Sequence, residues 1–177
     1  MKKYSITYFP KENDIKDIQS FREKYDPKSK LIAPHITLVF PFQWEKNETE
    51  LEREIEKKLI QCLPFEIELN GTQLDPDDNF FHLLVADGAE GIVSLHDDLY
   101  SGPLEPFWRK DLPYTPHMTV GVFVSTNGKL DETKYNQALE ELKARKLQTT
   151  LQFDNVSLVR IDDPKLTRTI VRRFDLS

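Results

Sequence analysis

Pro34-His35-Ile36-Thr37-Leu38-Val39-Phe40 returns 82 residues later as Pro116-His117-Met118-Thr119-Val120-Gly121-Val122. Both stretches read as short strands rich in β-branched and aromatic residues. Side chains two apart on a strand share a face, so His35, Thr37 and Val39 point one way while Ile36, Leu38 and Phe40 give an apolar face to a core. Met118, Val120, Val122 and Val124 do the same in the second copy. Each His–Thr pair is therefore expected on the face that the core does not need. Pro34 and Pro116 lack an amide hydrogen and hold the entry to each strand extended. A lone His-x-Thr is common. Pro-His-x-Thr-aliphatic arises at average usage on the order of once in a thousand histidines, and here it occurs twice at equivalent places.

Working outward, the two copies sit in similar surroundings. Tyr4, Ile6 and Tyr8 alternate with Ser5 and Thr7 as in a half-buried strand, and Ile15, Ile18, Phe21 and Tyr25 recur at helical spacing until Pro27. After the first motif, Asn47 with Glu50 has the form of a capping box. It opens a helix whose buried stripe is Leu51, Ile55, Leu59 and Cys62/Leu63. Phe65, Ile67 and Leu69 alternate as the next strand. The order then repeats: strand Phe80 to Val85, a helix carrying Ile92, Leu95 and Leu99, a proline-punctuated loop, the His117 strand, and a helix from about Asp131 with Tyr135, Ala138, Leu139 and Leu142 on one face. Strands at roughly 149–161 and 168–175 finish the chain. This pattern predicts an α+β fold with a bilobal pseudo-twofold repeat, each lobe an antiparallel sheet with flanking helices around a central cleft. One domain over 1–177 is expected, with an internal repeat of roughly 1–78 and 79–177.

The composition narrows the classes of function. Hydrophobic residues make up 38% of the chain, with eleven Phe, six Tyr and two Trp spread along it, so a folded core is expected throughout. No apolar run reaches the roughly 18–20 residues that cross a bilayer, and the opening segment alternates like a strand, so a cytoplasmic protein with no membrane partner is expected. The single cysteine, Cys62, excludes a disulfide framework and reads as a buried, inert thiol. With 24 Lys+Arg against 30 Asp+Glu, electrostatic capture of long duplex nucleic acid is disfavoured and a small or short substrate suits the chain better. The acidic stretch Leu74-Asp75-Pro76-Asp77-Asp78 reads as a solvated turn. Near the end, Arg160, Lys165, Arg168, Arg172 and Arg173 form a basic region that either assists a phosphate or is a solvated sheet face.

Two histidines on facing strands have the chemistry of paired acid and base. Hydrolysis of a phosphodiester needs one group to take a proton from water and another to give one to the departing oxygen, on opposite sides of phosphorus. Imidazoles, with reference pKa near 6.5, hold both protonation states together at neutral pH. Thr37 and Thr119 would donate hydroxyl hydrogen bonds to the non-bridging oxygens. Which histidine is acid and which is base is not written in the sequence. In the loop before the second motif, Phe107, Trp108, Arg109 and Tyr114 either contact substrate or plug the cleft wall. His82, within Phe80-Phe81-His82-Leu83-Leu84, and His96, beside Leu95, read as core or boundary residues. Zinc sites want three or four ligands, usually with local His or Cys pairs, and none is present, so no metal and no cofactor are expected.

These motifs, together with Phe21-Arg22-Glu23-Lys24-Tyr25-Asp26-Pro27 leading to Ile32-Ala33-Pro34-His35 and Leu99-Tyr100-Ser101-Gly102-Pro103-Leu104 leading to Tyr114-Thr115-Pro116-His117, resemble the two-histidine (2H) phosphoesterase superfamily, in particular its bacterial 2′-5′ RNA ligase-like branch. The resemblance covers most of the chain. It implies hydrolysis of cyclic nucleotide phosphates or RNA ends, typically 2′,3′-cyclic phosphodiesters, without a metal. By the same resemblance His35 and His117 are the catalytic pair. The alternative is a nucleotide- or RNA-binding module of the same fold without catalysis.

Overall fold

The computed structural model describes residues 2–145, 147–162 and 167–177. Among these described residues eight strands and four α-helices follow one another as β1 (Lys2–Tyr8), α1 (Lys16–Tyr25), β2 (Ile36–Trp44), α2 (Glu48–Leu59), β3 (Phe65–Leu74), β4 (Phe80–Val85), α3 (Ala89–Tyr100), β5 (His117–Val122), α4 (Glu132–Arg145), β6 (Thr149–Phe153), β7 (Asn155–Asp162) and β8 (Thr167–Asp175). The strands form one antiparallel sheet in the order β6-β3-β4-β5-β2-β1-β7-β8. The two sheets expected from the repeat are the two halves of this sheet. They are joined where β2 meets β5 at one residue pair, Ile36 with Met118.

Each half of the sheet draws strands from early and late parts of the chain. Strand β3, before residue 78, pairs with β4 and β6, whereas β7, near the end of the chain, pairs with β1. The run expected as one strand over 149–161 is two strands, β6 and β7, in opposite halves, with the chain crossing between them at Asp154. Among the described residues no helix is long and apolar enough to cross a membrane.

The helices cover the apolar side of the joint, with α1 packed against β5 and α3 against β2. Ile36, Leu38, Met118 and Val120 are all fully buried there. The stripe of α1 behaves as expected, with Ile18, Phe21 and Tyr25 in the core. Helix α2 buries Leu51, Ile55 and Leu59, but the stripe stops there: the helix ends at Leu59, Cys62 is half-buried rather than enclosed, and Leu63 is exposed just before Pro64. Asn47 caps α2 by accepting from the Thr49 amide at 3.0 Å, while the Glu50 carboxylate pairs with Lys46 at 3.2 Å.

Strict alternation fails just beyond each motif, and the register says why. Ile6 and Thr7 face Val39 and Thr37, so Leu38 is an extra residue in β2; Phe81 and His82 face Gly121 and Thr119, so Val120 is one in β5. These are β-bulges, and each follows its motif threonine directly. Past them the phase shifts: Val39 and Phe123 are fully buried, Phe40 and Val122 half-buried and Val124 exposed. Strand β1 is buried on both faces, with Ser5 and Thr7 as enclosed as Tyr4 and Ile6, because it lies between β2 and β7.

Candidate active site

Burial repeats residue for residue across the two motifs. Pro34, Ile36 and Leu38 are buried while His35 and Thr37 are half-exposed; Pro116, Met118 and Val120 are buried while His117 and Thr119 are half-exposed. Because Ile36 pairs with Met118 in antiparallel register, one step to either side sets His35 across from Thr119 and Thr37 across from His117. All four lie on the face opposite Ile36 and Met118. The two histidines are then diagonal neighbours, which in a regular ladder stand about 7–8 Å apart with their Cβ atoms somewhat closer.

Both imidazoles are held in the same way. His35 Nδ1 donates to the carbonyl of Ala33 at 2.7 Å, and His117 Nδ1 donates to the carbonyl of Thr115 at 2.8 Å. A carbonyl only accepts, so the proton is on Nδ1 and each neutral ring presents the lone pair of Nε2. The segment that carries Ala33 is itself fixed. Arg22, buried on α1, bonds the Asp26 carboxylate at 2.6 Å and the Ile32 carbonyl at 2.9 Å. This local clamp lies in the stretch that led to the first motif in the sequence.

The environments of the two rings differ. Burial pushes His35 down from 6.5 to about 4, aided by the positive charges of Arg168 and Arg22. Arg168 donates from Nη1 to His35 Nε2 at 3.0 Å. Burial lowers His117 as well, but Asp75 and Asp78 of the β3–β4 turn pull it back upward. The sequence reads this turn as merely solvated, and its nearness to His117 follows from strand pairing. His82, buried on β4, stacks on His117 with ring centroids 3.8 Å apart, and is likewise lowered from 6.5 to about 4 by burial.

The remaining candidates go elsewhere. The Tyr114 hydroxyl donates to the Thr37 carbonyl at 2.9 Å, and its ring stacks on buried His96 at 3.8 Å, so it braces the backbone of the first motif. Trp108 stacks on Tyr100, and Arg109 is paired with Asp111 at 2.8 Å. Phe107, Trp108 and Arg109 line a cavity of about 640 Å³ along Phe40–Gln43 that includes none of the four motif residues. In the basic region, Arg160, Arg172 and Arg173 are paired with acidic residues, whereas Arg168 reaches His35; Lys165 lies outside the described residues. Arg168 looks like its neighbours in sequence, and what sets it apart is its reach to His35. Among the described residues no group of three or more His, Cys, Asp or Glu is arranged to hold a metal ion.

Solved structures similar to this one include LigT of E. coli complexed with 3′-AMP, with a TM-score of 0.66 at 15% identity, and TT0787 of Thermus thermophilus, with 0.67 at 18%. Each alignment covers 99% of this chain and 98% of the other, and shows that the fold is shared. A Bacillus licheniformis protein named "Putative phosphoesterase" is 30% identical over 152 residues, 81% of this chain and 80% of the relative. A Bacillus pumilus protein of the same name is 29% identical over 160 residues, covering 89% and 88%. The family model of the 2′-5′ RNA ligase superfamily matches residues 9–165. On that match, the chain belongs to the 2′-5′ RNA ligase superfamily, the two-histidine phosphoesterases.

Proposed function

We propose that this chain is a phosphodiesterase that hydrolyses cyclic nucleotide phosphates or RNA ends of the 2′,3′-cyclic type, using His35 and His117 as a base and acid pair and no metal ion. The observation that carries this is the matched pair of Nδ1–carbonyl bonds, which gives both rings one tautomer and makes the two Nε2 atoms the groups for proton transfer, that of His35 once Arg168 turns its donor to the phosphate. The different surroundings support a division of labour. His35, beside Arg168 and strongly favouring its neutral form, is the base; His117, beside Asp75 and Asp78, is the acid.

In this reading His35 Nε2 takes a proton from water as its oxygen forms a bond to phosphorus. The bond to one ester oxygen breaks, and protonated His117 gives that oxygen its Nε2 proton. Thr37 and Thr119 donate to the non-bridging oxygens, whose charge grows in the transition state. The 3′-AMP held in the LigT structure is a phosphomonoester of the kind that opening a 2′,3′-cyclic phosphate yields, which supports this reading.

Steady-state kinetics on 2′,3′-cyclic nucleoside monophosphates test the proposal. His35→Ala and His117→Ala should each cost roughly 10²–10⁴-fold. The double variant should lose much less than the product, since residues acting as one unit are not additive. Thr37→Ala and Thr119→Ala should cost about 10–10³-fold each. Activity should survive a chelator. A folded His35→Ala enzyme at full rate would remove the base, and tight nucleotide binding without turnover by the unaltered chain would replace this reading with a binding module.

A further inference from the structure

Both ring nitrogens of His35 are taken. Nδ1 donates to the Ala33 carbonyl at 2.7 Å, and Nε2 accepts from Arg168 Nη1 at 3.0 Å. A general base must come within about 2.6–3.2 Å of the group whose proton it abstracts, and here a donor at that distance already fills the place. His117 differs. Its Nδ1 is bound to Thr115 in the same way, while among the described residues nothing bonds its Nε2. The two rings are held alike on one side and unlike on the other.

Arg168 is an unusual group to close that position. It stands near the start of β8, an edge strand paired only with β7. On this strand Arg172 meets Glu52 and Glu56, and Arg173 meets Asp154 and Asp175. Arg160 on β7 meets Glu48 and Asp162. Among the described residues Arg168 meets no carboxylate, only the imidazole of His35. A guanidinium keeps its charge and its five donors. Burial works against that charge, and a neutral ring does not balance it. A phosphate does: it takes two N–H bonds from the planar fork and carries the opposite charge.

We infer that Arg168 is a third catalytic residue of this site, which closes the His35 lone pair before substrate binds and opens it by turning to the phosphate. No proton leaves the arginine. Its Nη1–H bond to Nε2 is exchanged for one to a non-bridging oxygen, and the freed lone pair then takes the proton of the attacking water. The base is thus switched on by the anion that it is to act on, and a neutral carboxylic ester, which offers the guanidinium no charge, leaves it closed. The inference rests on the reading of His35 as the base of a phosphodiesterase.

The His35 ring reports the exchange directly. The charged and titratable groups that face it are Arg168 from β8, Arg22 from α1 and His117 from β5. In NMR titrations with inorganic sulfate, whose charge is constant across the range, the midpoint of His35 in the unaltered protein should rise from about 4 by at least about one pH unit. In Arg168→Gln it should already be raised without sulfate, and sulfate should bind at least about tenfold more weakly. Arg168→Lys, which keeps the charge without the fork, should fall between the two and serves if the glutamine variant fails to fold. A midpoint that sulfate leaves in place, or equal sulfate affinity with and without Arg168, overturns the inference. Kinetics on 2′,3′-cyclic AMP separates it from the reading on which it rests. Arg168→Gln should lower kcat/KM by about 10²–10³-fold. In the unaltered enzyme the acidic limb of kcat, which reports the complex, should lie above that of kcat/KM, which reports the free enzyme. Coincident limbs, or an unchanged rate in Arg168→Gln, overturn the inference and leave the histidine pair standing. If no cyclic phosphate is turned over, the phosphodiesterase reading fails, and the sulfate titrations still decide whether Arg168 yields His35 to an anion.

Discussion

The imidazole of His82 stacks on that of His117, with ring centroids 3.8 Å apart and planes at 22°. His82 faces Thr119 across β4 and β5, which makes it a diagonal neighbour of His117 on the same face. A ring so placed limits how far His117 can turn, and burial keeps it neutral, so the two rings do not repel. Such aromatic contacts are worth about 0.5–1.5 kcal/mol. His82→Gln is therefore expected to lower kcat by about two- to tenfold and to move the alkaline limb of the pH profile. His96→Gln, which loses the Tyr114 stack, should act mainly on stability. Equal profiles for unaltered and His82→Gln enzyme would show the stack to be inert.

The rate itself should be bell-shaped in pH and centred on the acid side. A neutral His35 is required as base, so the acidic limb of kcat/KM should lie near its value of about 4. A protonated His117 is required as acid, and since burial lowers it, the alkaline limb should fall below the ordinary histidine value of about 6.5. A flat profile between pH 4 and 8 would contradict the assignment.

Stability should depend on pH through the same rings. Both His35 and His82 are lowered from 6.5 to about 4 in the fold. Above 6.5 they are neutral in both folded and unfolded chains, and their contribution is fully present. As pH falls from 6.5 towards 4 the unfolded chain binds protons that the fold refuses, so stability is progressively lost; below about 4 the loss from these groups levels off. Denaturant midpoints should fall between pH 7 and 4.5, and less steeply for His82→Gln.

The Arg22–Asp26 pair, with side chains 3% and 5% exposed, ties α1 to the segment that ends at His35. Removing one partner of such a pair leaves a buried charge, at a cost of roughly 3–5 kcal/mol. Asp26→Ala should lower both the unfolding midpoint and kcat, because the Ala33 carbonyl that orients His35 loses its anchor. Full activity in a folded Asp26→Ala enzyme would argue against that coupling.

At the start of α3, Gly88 has φ +78°, and a Cβ there would meet the Glu66 carbonyl at 2.5 Å and Ile67 Cγ2 at 2.9 Å. Gly88→Ala should cost about 2 kcal/mol or more from backbone strain alone. In a chain of this size that lowers Tm by roughly 4–8 °C, measurable by calorimetry, with kcat little changed.

What the sequence determined by itself is local. Period-two alternation put Ile36 and Met118 inside and both His–Thr pairs on the other face, and helical spacing picked out Ile18, Phe21, Leu51 and Ile55 as core. Such patterns are properties of neighbouring residues in one segment, so they can be read before any partner is known. The alternation misled where it met a bulge, since an extra residue at Leu38 or Val120 is set by the opposing strand. Tertiary structure alone decided that β2 meets β5 at Ile36 and Met118, that the chain changes halves at Asp154, that His82 stacks on His117, and that Arg168 rather than Arg160, Arg172 or Arg173 reaches His35. Many strand orders satisfy the same alternating pattern, and which residues face each other across strands depends on the order and register that the whole core selects.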